Sequence, residues 1–175
     1  PGKVNSRGLK NAGPAIVEVW HRPIEPLATE PVTVSAQVTD PDGIASVTLH
    51  YRLDPSREDI ELAMSDDGRG GDEIAGDGIY AAIIPSQSDG SLVAFRIESF
   101  DASEGARKTS FPAGGDLECH YRVDEISKAP FFGSYSAIVA SADLQAWNRR
   151  ENLSNELVAS TFVLNGERVI YGAGI

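Results

Sequence analysis

From Pro31 the chain alternates strictly between apolar and polar residues. Val32, Val34, Ala36 and Val38 fall on one side of an extended backbone, and Thr33, Ser35, Gln37 and Thr39 on the other, the period-two pattern of a half-buried strand. Asp40-Pro41-Asp42-Gly43 then reads as a tight turn, with proline pre-set for its second position and glycine free to take a positive φ. Alternation resumes through Val47, Leu49, Tyr51 and Leu53, opposite Thr48, His50 and Arg52, so the two runs predict a hairpin. Ile60, Leu62 and Met64 mark a further strand, as do Tyr80, Ala82 and Ile84, and then Val93, Phe95 and Ile97 on to Asp101. Leu117, Cys119, Tyr121 and Val123 mark the last of this series, after a stretch at 102–116 that reads as a polar loop. Before all of these, Ala15 to His21 reads as an edge strand with Trp20 turned inward, broken by Pro23 and Pro26, since proline is tolerated at a sheet edge.

Seven short strands separated by turn residues predict a mainly β fold: a seven-stranded antiparallel β-sandwich of the immunoglobulin or fibronectin type III-like sort. The Cys-Trp-Cys pattern of antibody domains is missing. The pattern changes after Asp124. Ile126-Ser127-Lys128-Ala129-Pro130, with Phe131-Phe132-Gly133 at its end, reads as a linker. A strand follows from Ser134 to Ala140, then a helix to about Glu151, with Ser141 as N-cap, Asp143 in the first turn and Leu144 with Trp147 as an apolar i, i+3 pair. Leu157 to Leu164 and Glu167 to Ile175 predict a hairpin about Asn165-Gly166, a strong two-residue turn signal. The expected organisation is therefore a leader or linker at 1–13, the sandwich at 14–125, a linker at 126–133 and a short β-α-β-β segment at 134–175.

Composition narrows the partners. With 15 basic against 26 acidic residues the 175-residue chain carries a formal charge of -11, which repels phosphate backbones and anionic bilayers; the expected partner is protein, not nucleic acid. The sequence holds no apolar run near the roughly 20 residues of a membrane span. One cysteine, Cys119, leaves no intrachain disulfide or cysteine-based zinc site. Its place in an alternating strand predicts a buried small hydrophobe. The enzyme patterns G-x-S-x-G and H-E-x-x-H do not occur, and His21, His50 and His120 are separated by whole strands, so no catalytic residue is assigned.

The densest chemistry lies between Ser65 and Tyr80, which hold Asp66, Asp67, Asp72, Asp77 and Glu73 among five glycines. Two readings stand side by side. In one, Asp66, Asp67, Asp72 and Asp77 are ligands for calcium, which takes six to eight oxygens, although the spacing departs from D-x-[DN]-x-[DN]-G-x5-E. In the other, Asp and Gly simply form turns, with Ile74 and Tyr80 pinning the loop onto the core. A second cluster is expected on one outer face, where His50, Arg52, Arg96, Glu98, Glu118, His120 and Arg122 would line up across neighbouring strands. There the choice is between a solvated charge ladder and a binding face or two-histidine metal site.

Two stretches resemble known families. The run Asp-Asp-Gly, Gly-Asp, Ala-Gly-Asp-Gly-Ile-Tyr within 66–80 resembles a loop of Ig-like accessory modules in bacterial surface and secreted proteins. Gln145-Ala146-Trp147, Arg150, Leu153-Ser154-Asn155-Glu156, Thr161-Phe162-Val163 and Asn165-Gly166 with Arg168-Val169-Ile170-Tyr171 resemble the opening of the spore-coat protein H kinase-like (CotH) family. The first resemblance implies a parent that is secreted or surface-attached in bacteria, and the second a kinase-like fold in that parent using ATP and magnesium on coat or surface proteins. None of that family's catalytic positions maps onto this chain, and Gly172-Ala173-Gly174 is not a G-x-G-x-x-G phosphate loop. Pro1 and Ile175 both read as cut ends. Three functions follow as expectations: a non-catalytic accessory module that spaces, anchors or contacts protein; a piece of an ATP-dependent protein kinase whose active site lies beyond residue 175; and a carbohydrate-binding sandwich using Trp20, Trp147 and Phe131-Phe132. The third is disfavoured because Trp20 and Trp147 are expected to pack inward.

Overall fold

In β2 (Val32–Thr39) the alternation is realised directly: Val32, Val34, Ala36 and Val38 are buried, while Thr33 and Gln37 on the other side are partly open. The computed structural model describes residues 11–115, 117–124, 133–151 and 154–175; the first ten residues, and the stretch 125–132 with most of the expected linker and Phe131-Phe132, lie outside them. β2 pairs antiparallel with β1 (Ala15–Arg22) on one side and β5 (Ile79–Ile84) on the other. Facing this sheet is a second one, in which β3 (Ile44–Asp54) lies between β4 (Ile60–Ala63) and β6 (Leu92–Asp101). The far edge of β6 is taken by two short strands laid end to end, β7 (Lys108–Phe111) along Ile97–Phe100 and β8 (Cys119–Arg122) along Leu92–Phe95. Val34, Ala36 and Ile84 from the first sheet meet Leu49, Phe95, Ile97 and Tyr121 from the second in one core, the packing of a β-sandwich. Each such aliphatic or aromatic side chain contributes roughly 1.5–3 kcal/mol through its burial. Cys119 is fully buried among them, and burial pushes its thiol pKa well up.

Two differences from the sequence reading have physical causes. β7 lies inside the stretch read as a loop, so the described sandwich holds eight strands where the pattern counted seven; its Lys-Thr-Ser-Phe offers one apolar residue and no alternation to detect. Trp20 does not turn inward. Glu18 adopts φ 49 and the β1–β2 register shifts between Val17 and Trp20, a bulge that reverses the phase of the strand. Beyond it Val19 and His21 face the core, while Trp20 and Arg22 pair with Ser35 and Thr33 on the outer side.

The C-terminal residues form a third sheet, in which β10 (Ala159–Leu164) lies between β9 (Tyr135–Ile138) and β11 (Arg168–Gly174). Asn165 and Gly166 take φ of 54 and 65, the double left-handed conformation of a primed hairpin turn, closed by the Glu167 N–H donating to the Leu164 carbonyl at 2.9 Å. Between β9 and β10 runs α1 (Ser141–Arg149). Ser141 is its first residue, not its cap; the residue before it is Ala140, and no side chain of the N-cap bonds the helix end. The cap comes from the sandwich instead, since the Ser141 N–H donates to Asp54 Oδ2 at 3.0 Å, placing a carboxylate where the helix dipole favours one. No residue of α1 is buried, so Leu144 and Trp147 form no apolar core pair, and the Trp147 ring carries the Arg150 guanidinium 3.9 Å from its centre.

This third sheet packs on the sandwich. Ile138 and Val163 cluster with Leu92 on the outer side of β6, and Thr161 Oγ1 accepts from the His120 N–H at 2.8 Å. Tyr171 of β11 reaches the sandwich core, edge-on to Phe95 and Phe111. Its hydroxyl lies 2.5 Å from His21 Nδ1, while His21 Nε2 lies 3.1 Å from the Ile24 carbonyl. A carbonyl only accepts, so Nε2 carries the ring proton and Tyr171 donates to Nδ1.

Candidate functional site

The loop at 65–78 is held by its own aspartates. Asp66 accepts the backbone N–H groups of Gly76 (2.6 Å), Asp77 (3.2 Å) and Gly78 (2.9 Å). Asp72 accepts those of Gly68 (2.6 Å) and Ile74 (3.3 Å), and Asp77 that of Ile79 (2.9 Å). Short polar side chains favour such local bonds, and here they fix a segment with little apolar anchorage. Ile74 does not pin the loop to the core; it is 62% exposed, and only Tyr80 packs against the interior. The anchor is close backbone approach. Gly71 sits at φ +100, and a Cβ there would lie 2.6 Å from Thr33 Cγ2, a position only glycine fills.

Through that contact the loop drapes over the outer face of the first sheet, and Ser35 and Ala81 are nearly buried although they face outward. Between the loop and β1 runs a groove of about 550 Å³. Trp20 and Arg22 line it from β1, Thr33 and Ser35 from β2, and Asp72, Glu73, Ile74 and Asp77 from the loop. Among the described residues the side chains of Arg22 and Glu73 make no hydrogen bond or ion pair. Arg22 is not a sequence candidate, and Trp20 is one only in the carbohydrate reading, disfavoured there because it is expected to pack inward; the Glu18 bulge turns both outward.

Of the four aspartates expected as calcium ligands, the structure brings three together. Asp66, Asp72 and Asp77 each place a carboxylate oxygen within 4.8 Å of the other two. Asp67 stands apart, accepting the Ser65 hydroxyl and the Arg69 N–H, both at 3.1 Å. The three carboxylates fit a cation only in part: calcium takes six to eight oxygens, and these oxygens already receive six backbone N–H groups.

The second expected cluster is divided by the third sheet. Arg52 forms a two-pronged pair with Glu118, Nε to Oε1 at 2.8 Å and Nη2 to Oε2 at 2.5 Å, and its Nη1 reaches Asp54 at 3.0 Å; the Glu118 bond, with Asp54 beside it, pushes the guanidinium pKa further up. Arg96 pairs with Asp59 at 2.6 Å, Lys108 with Glu98 at 3.1 Å, and His50 lies 3.7 Å from both Glu61 and Glu98. Arg122, at the lower end, reaches the Gly90 carbonyl at 3.5 Å. His120 is separated from this network: it is 2% exposed, lies under the third sheet, and neither ring nitrogen has a hydrogen-bond partner among the described residues. Burial lowers its pKa. His50 and His120 belong to no group of three or more close metal-ligating side chains among the described residues.

The chain matches no family model and no curated protein. Among the described residues no helix is long and apolar enough to cross a membrane.

Proposed function

We propose that this chain is a non-catalytic accessory module of the Ig-like or fibronectin type III-like kind, belonging to a larger secreted or surface-attached bacterial protein. Its task is to hold the β-α-β-β segment at 134–175 in one orientation, and through it whatever that segment is joined to. The observation that carries this reading is Tyr171: a partly buried side chain of the third sheet packs against the sandwich core and donates to the buried His21. A flexible spacer has no need of such a plug. The Asp54 carboxylate at the start of α1 and the Thr161–His120 bond fix two further points. The strand order, β1-β2-β5 facing β4-β3-β6 with β7 and β8 on its edge, supports the fibronectin type III-like assignment. The resemblance of 134–175 to the opening of the CotH kinase-like family supports a kinase-like neighbour, with ATP and magnesium bound there.

Tyr171→Ala tests it. Removing a partly buried aromatic that packs on the core costs about 2–3 kcal/mol, below the range for a fully buried ring, so limited proteolysis of the variant should cut within 134–175 while the sandwich resists, and the wild type should resist throughout. Equal resistance of the third sheet in both proteins refutes an orienting role for Tyr171.

A further inference from the structure

We infer that the groove between β1 and the acidic loop is a binding site for a neutral oligosaccharide. This goes beyond the orienting role and stands without it, because the groove lies on the outer face of the first sheet and involves no residue of the third.

The lining decides the ligand by elimination. On one wall stands the Trp20 indole, with Arg22 two residues on; on the other stand Asp72, Glu73 and Asp77, and the floor offers the hydroxyls of Thr33 and Ser35. A simple cation would gain from the indole face and the carboxylates, but it would meet the guanidinium of Arg22, which no described carboxylate neutralises. A simple anion would gain from Arg22 and face three acidic side chains in a protein of net charge -11. A pyranose ring suffers neither penalty. One face of it is a patch of C–H groups that lies on an aromatic ring, and its rim is a row of hydroxyls, each able to donate to a carboxylate and accept from a guanidinium or a hydroxyl.

The groove is also ready-made. Small-ligand sites occupy roughly 300–1,000 Å³ and are largely pre-formed, and this one measures about 550 Å³. Its loop wall is tied by six bonds from Asp66, Asp72 and Asp77 to backbone N–H groups. A loop fixed before the ligand arrives spares the ordering cost that weakens binding to mobile loops. Asp72 and Asp77 keep lone pairs free after these bonds, since each carboxylate has about four acceptor sites, and Glu73 keeps all of its own.

The test uses the full 175-residue chain carrying Trp147→Phe, which leaves Trp20 as the only indole. The probes are β-1,4-linked glucose, xylose, mannose and N-acetylglucosamine oligomers of about six units, titrated by calorimetry and by Trp20 emission. At least one should bind with a Kd of about 1 mM or tighter and shift the emission to the blue. Trp20→Ala should abolish that binding, and Arg22→Ala and Glu73→Gln should each weaken it about tenfold while leaving the melting temperature within about 2 °C. No saturable binding by any of the four at about 10 mM, or binding that survives Trp20→Ala, overturns the proposal. So does tighter binding of oligolysine or tetramethylammonium with the same Trp20 response, which would make the groove a cation site.

Discussion

On the outer face of the second sheet Arg52 meets Glu118 and Asp54, Arg96 meets Asp59 and Lys108 meets Glu98, with exposed Arg57 the exception among the described residues. On the outer face of the first sheet Arg22 and Glu73 line one groove and have no hydrogen-bond or ion-pair partner among the described residues. Both faces combine arginine with carboxylates, so composition does not tell them apart. What separates them is whether the charges are spent on one another. Where they are, the face is a structural element and carries a cover, the third sheet over Leu92 and His120. Where they are not, the unspent groups sit beside an outward-facing indole and two hydroxyls, which is the arrangement of a site.

The sharpest way to break that contrast is acid. The buried histidines that resist protonation both lie against the third sheet, His21 in the core beside Tyr171 and His120 on the outer face of the second sheet. Burial lowers the pKa of His21, beneath Tyr171, to about 4, against a partly opposing bond to Ile24, and lowers that of His120. A histidine whose folded pKa is depressed lends its full stability above the unfolded value of about 6.5 and loses it as pH falls toward the folded one. His21 alone accounts for about 3 kcal/mol lost between pH 7 and pH 4, and His120 adds to it. Its ring is faced by Glu118, Asp143 and Asp54, which favour the charged form, and by Arg52, which opposes it. Burial pushes the Asp54 carboxyl up, but the bonds from Ser141 and Arg52 outweigh it and its net pKa is lowered, so its contribution is lost in a separate window below about pH 4. Urea unfolding across this range should show the loss, and NMR titration of His21 should give a midpoint near 4. A His21 that titrates near 6.5 breaks the picture of a sealed third layer.

A smaller effect divides the two faces directly. Arg52→Ala leaves the Glu118 and Asp54 carboxylates, whose side chains are 14% and 3% exposed, without their cation, and should cost about 2 kcal/mol. Arg22→Ala removes no described bond and should stay within about 0.5 kcal/mol. Urea midpoints of the two variants measure both. Equal costs would mean that Arg22 is structural and the groove is not a site.

Much of this architecture was legible in the chain. Strict alternation placed β2, β3 and β6, and Asn165-Gly166 placed the last hairpin, because period two and left-handed turn residues are local properties. Three features were hidden. β7 pairs through its backbone with almost no apolar signal. The helix cap is Asp54, 87 residues away, and sequence spacing does not report a partner at that distance. The outward Trp20 depends on one left-handed residue, Glu18, where nothing in Val17-Glu18-Val19 announces a bulge. The acidic loop was visible as a cluster of aspartates, but its folding back over Thr33 rests on Gly71, which in the sequence is one glycine of five in that stretch. For the same reason the charged face was named correctly as a set of residues and yet not as two regions, one paired and one roofed over.

Calcium produces the smallest expected effect and sharpens the contrast at its weakest point. Asp66, Asp72 and Asp77 converge within 4.8 Å, so the loop wall of the groove holds two carboxylates, Asp72 and Asp77, partly engaged by backbone N–H groups beside Glu73, which has no described bond. If the six backbone N–H groups satisfy the converging three, millimolar calcium should raise the melting temperature by less than about 3 °C, or about 1 kcal/mol for a chain of this size. Differential scanning calorimetry with calcium and then with chelator checks this. A rise above about 10 °C corresponds to several kcal/mol of mass action and would make the cation the element that closes the loop. Saccharide binding would then fall with chelation as the wall at Asp72 and Asp77 loosened. Binding that is indifferent to chelator keeps the two roles apart: aspartates that shape the wall through backbone bonds, and Trp20, Arg22 and Glu73 that face the ligand across it.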